Sequence, residues 1–165
     1  MHRTSFNEMR VVLAKYLDRT AALQILDVGA ALVPASWQHT YRELMAPAWT
    51  YCGADLAPAP NVDLVMAGEY RIQEDPGGFD AVLSGQCLEH VRHPWRLVPE
   101  IVRQARPGGL VILTAPWQWA EHRYPLDCWR ILPDGMRVLL EDAGCEVLEA
   151  YTVERDCWGV ARRRP

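Results

Sequence analysis

Two acids 28 residues apart, Asp27 and Asp55, each close a short apolar run. Leu23-Gln24-Ile25-Leu26-Asp27-Val28-Gly29 reads as a hydrophobic strand ending in an acid and a glycine, and the next strand ends in Gly53-Ala54-Asp55-Leu56. Parallel α/β proteins bind nucleotide-like ligands at such strand ends, where the carboxyl edge of the sheet opens. Gly29 lets backbone approach a ligand closely, and Asp55 is placed to accept hydrogen bonds from ribose hydroxyls. The first loop narrows the ligand by what it lacks. A dinucleotide loop carries G-x-G-x-x-G and a P-loop carries a terminal G-K-[ST]. Gly29-Ala30-Ala31-Leu32-Val33-Pro34 has neither, so a pyrophosphate there meets side chains and a proline. A ligand without phosphates is favoured.

These residues need elements to hold them. Phe6, Met9, Val12, Leu13 and Tyr16 have helical spacing, which predicts a helix over 5–18. Strands are predicted at 23–29, 49–56, 62–66, 79–84 and 110–115, with helices at about 36–46 and from Pro94 to Ala105. Pro107-Gly108-Gly109 ends the latter helix, and Pro133 opens another that runs to Gly144. Two strands follow, near 145–153 and 156–162, with too few residues between them for a crossover. Strands alternating with helices imply a parallel sheet with right-handed crossovers, and the last two strands an antiparallel hairpin.

Bulk properties set outer limits. The chain has 165 residues, half of them hydrophobic and 23% charged, and no linker or repeat, so residues 1–165 are expected to form a single globular domain. A net charge of −4 argues against nonspecific nucleic-acid binding. Five cysteines without paired spacing and the lack of a secretory h-region point to a reduced cytoplasm. No apolar run approaches the roughly 20 residues needed to span a bilayer, so no membrane partner is expected.

The ordered pieces resemble class I S-adenosylmethionine-dependent methyltransferases. Leu26-Asp27-Val28-Gly29 looks like the first motif of that superfamily, and Gly53-Ala54-Asp55-Leu56 like the acidic end of its second strand. Phe79-Asp80-Ala81-Val82-Leu83-Ser84-Gly85-Gln86-Cys87-Leu88-Glu89-His90-Val91 resembles its fourth strand and the segment after it. Arg106-Pro107-Gly108-Gly109-Leu110 matches the turn into strand five. His122 to Arg130 followed by Pro133-Asp134-Gly135 looks like a bacterial subgroup. The resemblance implies a Rossmann-like, seven-stranded, mostly parallel α/β sheet with a terminal antiparallel hairpin and helices on both faces. It also implies S-adenosylmethionine as cofactor. Family members carry further glycines where this chain has Ala30 and Ala31, and an acid after strand three where this chain offers only Glu69.

On that resemblance Asp55, with Leu56 beside it, accepts the ribose hydroxyls, and Asp27 and Gly29 line the methionine end. Ser84, Gly85 and Gln86 sit where strand four opens on the pocket, and Glu69 or Tyr70 lies beside adenine. Methyl transfer from a sulfonium is an in-line displacement in which alignment can offset about 7–11 kcal/mol of barrier. A base is needed only where the acceptor must lose a proton, and His122 and His90 are the candidates. Trp117, Tyr124 and Trp129, with Trp119, either stack on an acceptor or pack their loop against the sheet. Asp127 and Arg130 read as an ion pair holding that loop or as a substrate clamp. Cys87, His90 and His93 at three-residue spacing invite a metal reading, but no fourth ligand cluster accompanies them and Pro94 interrupts the face. No metal is expected. The expected activity is O-methylation, ahead of N-methylation, of a small-molecule or glycan-like acceptor. With few insertions around the sheet, the site either takes a bulky or carrier-bound acceptor or is closed by a second subunit in a homodimer. The alternative is a methyltransferase-like binding or scaffold protein without turnover.

Overall fold

The computed structural model describes residues 2–32, 39–73 and 78–165. Seven strands form one sheet: β1 (Leu23–Val28), β2 (Trp49–Asp55), β3 (Leu64–Val65), β4 (Phe79–Gly85), β5 (Ala105–Pro116), β6 (Cys145–Val153) and β7 (Asp156–Arg163). Their spatial order is β3-β2-β1-β4-β5-β7-β6. The first five are parallel to their neighbours, and β7 runs antiparallel between β5 and β6. The predicted parallel sheet with a terminal hairpin is present.

Period-two alternation sorts the apolar residues onto two faces. Ile25, Ala81, Leu83, Leu110 and Ile112 point to one side, where they meet Met9, Val12 and Leu13 of helix α1 (Arg3–Tyr16). Leu26, Val82, Val111 and Leu113 point to the other, against α2 (Pro94–Gln104) and α3 (Pro133–Asp142). Both faces are covered, which is why these strands read as continuous hydrophobic runs. Helix α1 is also tied to β6, where Lys15 and Tyr16 reach Glu149 and the Tyr151 hydroxyl donates to Glu8 at 2.8 Å.

Two local expectations change. The helix expected at about 36–46 falls partly on 33–38, which lie outside the described residues; the described part holds one 3-10 turn, Tyr41–Leu44. Thr40 and Glu43 form a capping box at its start, and Pro47 disfavours helical backbone at Ala46. Strand β5 begins at Ala105 rather than Leu110. Pairing passes from Phe79↔Ala105 to Ala81↔Leu110, so Arg106-Pro107-Gly108-Gly109 bulges out of a strand that continues on both sides.

Candidate active site

The sheet order reverses between β1 and β4: the chain works outward to β3, then returns to lay β4 on the other side of β1. Crevices for ligands form at such switch points. The carboxyl ends of β1, β2 and β4 border a cavity of about 1050 Å³, roughly the upper end of the range for small-molecule sites. It is large enough for a nucleoside-sized ligand and a second molecule.

Asp27, Gly29 and Asp55 all line this cavity. Gly29 has φ +82, and a Cβ on it would lie 2.8 Å from Cys87 Cβ, so no larger residue fits either its backbone or its surroundings. The Asp55 carboxylate bridges two loops, accepting from the Ala31 amide at 2.9 Å and the Leu56 amide at 2.7 Å. Each oxygen keeps a lone pair for a ligand hydroxyl. Asp27 is only 3% exposed. Burial pushes its carboxyl up to about 7, although the Tyr51 hydroxyl donates to it at 2.6 Å. Cys87 lies in the same wall, where burial pushes its thiol up to about 12 and keeps it protonated.

A further part of the wall is built by the segment between β5 and α3. It has no helix or strand over 117–132, yet it is stapled down. Arg130 holds Asp127 with both terminal nitrogens, at 2.6 and 2.8 Å, and also reaches the Ala120 and Trp119 carbonyls. The pairing holds the Asp127 carboxyl well below the usual carboxylate range. The Cys128 amide donates to the Glu89 carbonyl at 2.7 Å, and Trp129 Nε1 to the Val91 carbonyl at 2.9 Å. These bonds set His122 edge-on to His90, ring centres 5.0 Å apart, with both rings in the cavity wall. Behind them lies Glu89, fully buried, its carboxyl pushed up to about 8 by that burial. Burial also presses His90 below its ordinary range. His2, at the start of α1, stacks on Trp119 with ring centres 4.8 Å apart. The cavity wall thus carries two chemistries: strand-end acids, and a group of imidazoles and indole.

The model of a family described as a methyltransferase domain matches residues 26–113, which run from β1 through β5. The chain belongs to that family. An uncharacterized methyltransferase of a Mycobacterium species is 53% identical over 38 residues, 23% of this chain and 15% of that protein. Another, from Mycobacterium avium, is 29% identical over 104 residues, 59% of this chain and 41% of that one. The chain therefore spans well under two thirds of the curated relatives it matches. Among solved structures, Burkholderia thailandensis 1,6-didemethyltoxoflavin-N1-methyltransferase superposes with a TM-score of 0.74 at 15% identity, covering 98% of this chain and 79% of that one. A methyltransferase from Aquifex aeolicus superposes at 0.66 with 14% identity, covering 98% of each chain. At these identities the likeness is one of fold. No described helix of this methyltransferase domain is long and apolar enough to cross a membrane.

Within the domain, Asp27, Gly29, Asp55, Leu56, Glu69, Gly85, Gln86, His90, His122 and Tyr124 lie in the cavity wall. Ser84, Tyr70, Trp117 and Trp129, also singled out in the sequence, are not in that wall. Ser84 is fully buried and donates to the Val28 carbonyl at 2.9 Å, because alternation along β4 turns it away from the cavity. Tyr70 turns to Glu69 and His93, and Trp117 Nε1 binds the Glu154 carbonyl. Trp129 packs edge-on against Trp95 on the outer surface. His93 Nδ1 meets the Tyr70 hydroxyl at 3.0 Å. His2 and Glu89 were missed. His2 reaches the cavity only through the docking of α1, and the Glu89-His90 pair carries its signal only once His122 is known to face it.

Proposed function

We propose that the chain is an S-adenosylmethionine-dependent methyltransferase that methylates an oxygen of a small-molecule or glycan-like acceptor. The observation that carries this reading is one cavity lined both by the strand-end acids and by the imidazoles of His90 and His122. S-adenosylmethionine fits the strand-end acids on the chemistry of the residues present: a buried carboxyl at Asp27 that, among the described residues, lacks a cationic partner within hydrogen-bond reach, and a carboxylate at Asp55 with lone pairs to spare. The Burkholderia enzyme of the same fold holds S-adenosylhomocysteine, which supports the assignment. Asp55 then receives the ribose hydroxyls, Gly29 admits the ligand against the β1 loop, and Glu69 is the acid available on the adenine side. The bound cofactor supplies a sulfonium methyl group for in-line displacement by an acceptor oxygen.

The chain's own residues supply alignment and proton handling. Tyr124, in the cavity wall, is the aromatic ring available to stack on a flat or sugar acceptor, since Trp119 already carries His2 on its face. An acceptor hydroxyl must lose its proton as the new carbon–oxygen bond forms, and His90 and His122 line the cavity where that proton leaves. Proton handling of this kind contributes about 10²–10⁴-fold to rate. Among the described residues no lysine or cysteine thiolate competes for the role; the Cys87 thiol stays protonated.

Titration calorimetry with S-adenosylmethionine and S-adenosylhomocysteine tests the reading. One ligand should bind per chain, and Asp55→Ala should weaken binding by about 1–3 kcal/mol, the scale for hydrogen bonds to a charged group. Unchanged affinity in that variant refutes the ribose role. No heat from the parent protein at millimolar ligand removes the enzyme and leaves a methyltransferase-like binding protein.

A further inference from the structure

Glu89 is 0% exposed, and among the described residues neither of its carboxyl oxygens has a hydrogen-bond partner. A buried carboxylate left without a partner is costly, and an orphaned oxygen in a native core calls for an explanation. The side chain points at two imidazoles: His90 Nε2 lies 3.6 Å from Glu89 Oε1, and His122 Nε2 lies 3.9 Å from the same atom. In each ring the other nitrogen is already committed. His90 Nδ1 donates to the Leu126 carbonyl at 2.6 Å, and His122 Nδ1 to the Ala120 carbonyl at 3.1 Å. A carbonyl can only accept, so in the neutral rings the proton sits on Nδ1 and Nε2 keeps its lone pair. The Glu89 carboxyl and two imidazole nitrogens therefore converge, with Oε1 beyond hydrogen-bond distance of both rings.

We propose that Glu89, His90 and His122 bind one divalent first-row transition-metal ion in the wall of the cavity. The three donor atoms lie within 4.8 Å of one another. A tetrahedral ion with bonds of about 2.1 Å spaces its ligands about 3.4 Å apart, so small side-chain rotations close the set. Two imidazoles and one carboxylate suit ions such as cobalt, zinc, manganese or iron rather than magnesium or calcium, which prefer oxygen ligands. The outer contacts are those of a metal site too. Both histidines are oriented by backbone carbonyls, and Asp127 Oδ2 stands 3.6 Å from His122 Nδ1, itself gripped by Arg130. Glu89 is anchored through its own carbonyl by the Cys128 amide.

The site stands on this geometry alone, while its role rests on the methyl-transfer reading. Because His90 and His122 border the cavity, the open coordination positions face the acceptor. An acceptor hydroxyl bound there releases its proton to water at lower pH than a free one, as metal-bound water does. The two imidazoles then act through the ion rather than as free bases. The acceptor class is correspondingly narrower: a molecule that offers a metal-binding oxygen, such as one hydroxyl of a vicinal diol.

The test uses Co²⁺ on the chelator-treated full chain, read by equilibrium dialysis and visible absorption. One ion should bind per chain, with ligand-field bands of nitrogen and oxygen coordination. Glu89→Gln, which keeps the shape of the side chain, and His122→Ala should each weaken binding at least about tenfold while retaining a cooperative melt. Binding undiminished in both variants, a thiolate charge-transfer band from one of the five cysteines, or no binding at millimolar Co²⁺ overturns the site. A parent protein that holds Co²⁺ but gives no heat with S-adenosylhomocysteine leaves the ion site standing and removes methyl transfer.

Discussion

Asp27 shows how much one buried carboxyl can control. Tyr51 donates to it, Asp55 nearby raises its pKa further, and Arg42 lowers it, but burial dominates and holds it at about 7. In the unfolded chain the same group titrates near about 3.9. The native state therefore binds this proton more tightly, and the group subtracts stability as pH rises from about 4 to 7. A cationic ligand reverses the preference by favouring the carboxylate. S-adenosylmethionine should accordingly bind more tightly at pH 8 than at pH 6, by up to about tenfold, and Asp27→Asn should flatten that profile. Calorimetry across the range checks it; an equally steep profile in the variant shows that another group is responsible. At this scale the sequence was informative where the backbone dictates position. Acids at the ends of apolar runs, Asp27 and Asp55, had to reach the carboxyl edge of a parallel sheet. Ser84 was misleading because one step along a strand turns a side chain to the other face. Glu89 was silent because a missing partner is a property of three segments brought together.

Among elements, the segment between β5 and α3 matters most to the site, since it places His122 with no regular secondary structure of its own. Its shape depends on Arg130, Asp127 and the bonds to Glu89 and Val91. Asp127→Asn should lower the melting temperature at neutral pH and impair whatever His122 does. The sign with pH follows from the depressed carboxyl: its contribution is complete above the unfolded value of about 3.9 and fades as pH falls below it. The gap in melting temperature between parent and variant should thus stay constant from pH 7 to about 5 and narrow towards pH 3. A gap that does not narrow argues that lost packing, not lost charge, weakens the variant. The sequence suggested the Asp127–Arg130 pair from spacing alone, but not the carbonyls that Arg130 also holds. The helix expected at about 36–46 is, in its described part, a single 3-10 turn, because Thr40 caps it and Pro47 closes it.

For the whole molecule, strand order does the decisive work. Reversal between β1 and β4 opens the crevice, burial of both sheet faces makes the frame rigid, and the antiparallel hairpin β6–β7 anchors α1 so that His2 reaches the cavity. This architecture was readable in advance because alternating strands and helices admit few topologies, and only two or three residues join the last strands. Which loop meets which across the cavity was not, since those contacts span most of the chain. The central claim, that one cavity holds S-adenosylmethionine at Asp55 and faces the methyl towards His90 and His122, is tested most directly by a crystal structure with S-adenosylhomocysteine. The account predicts ribose hydroxyls on the Asp55 carboxylate and the sulfur directed into the space before the two histidines. A ligand bound outside this cavity, or one whose sulfur points away from His90 and His122, would contradict it.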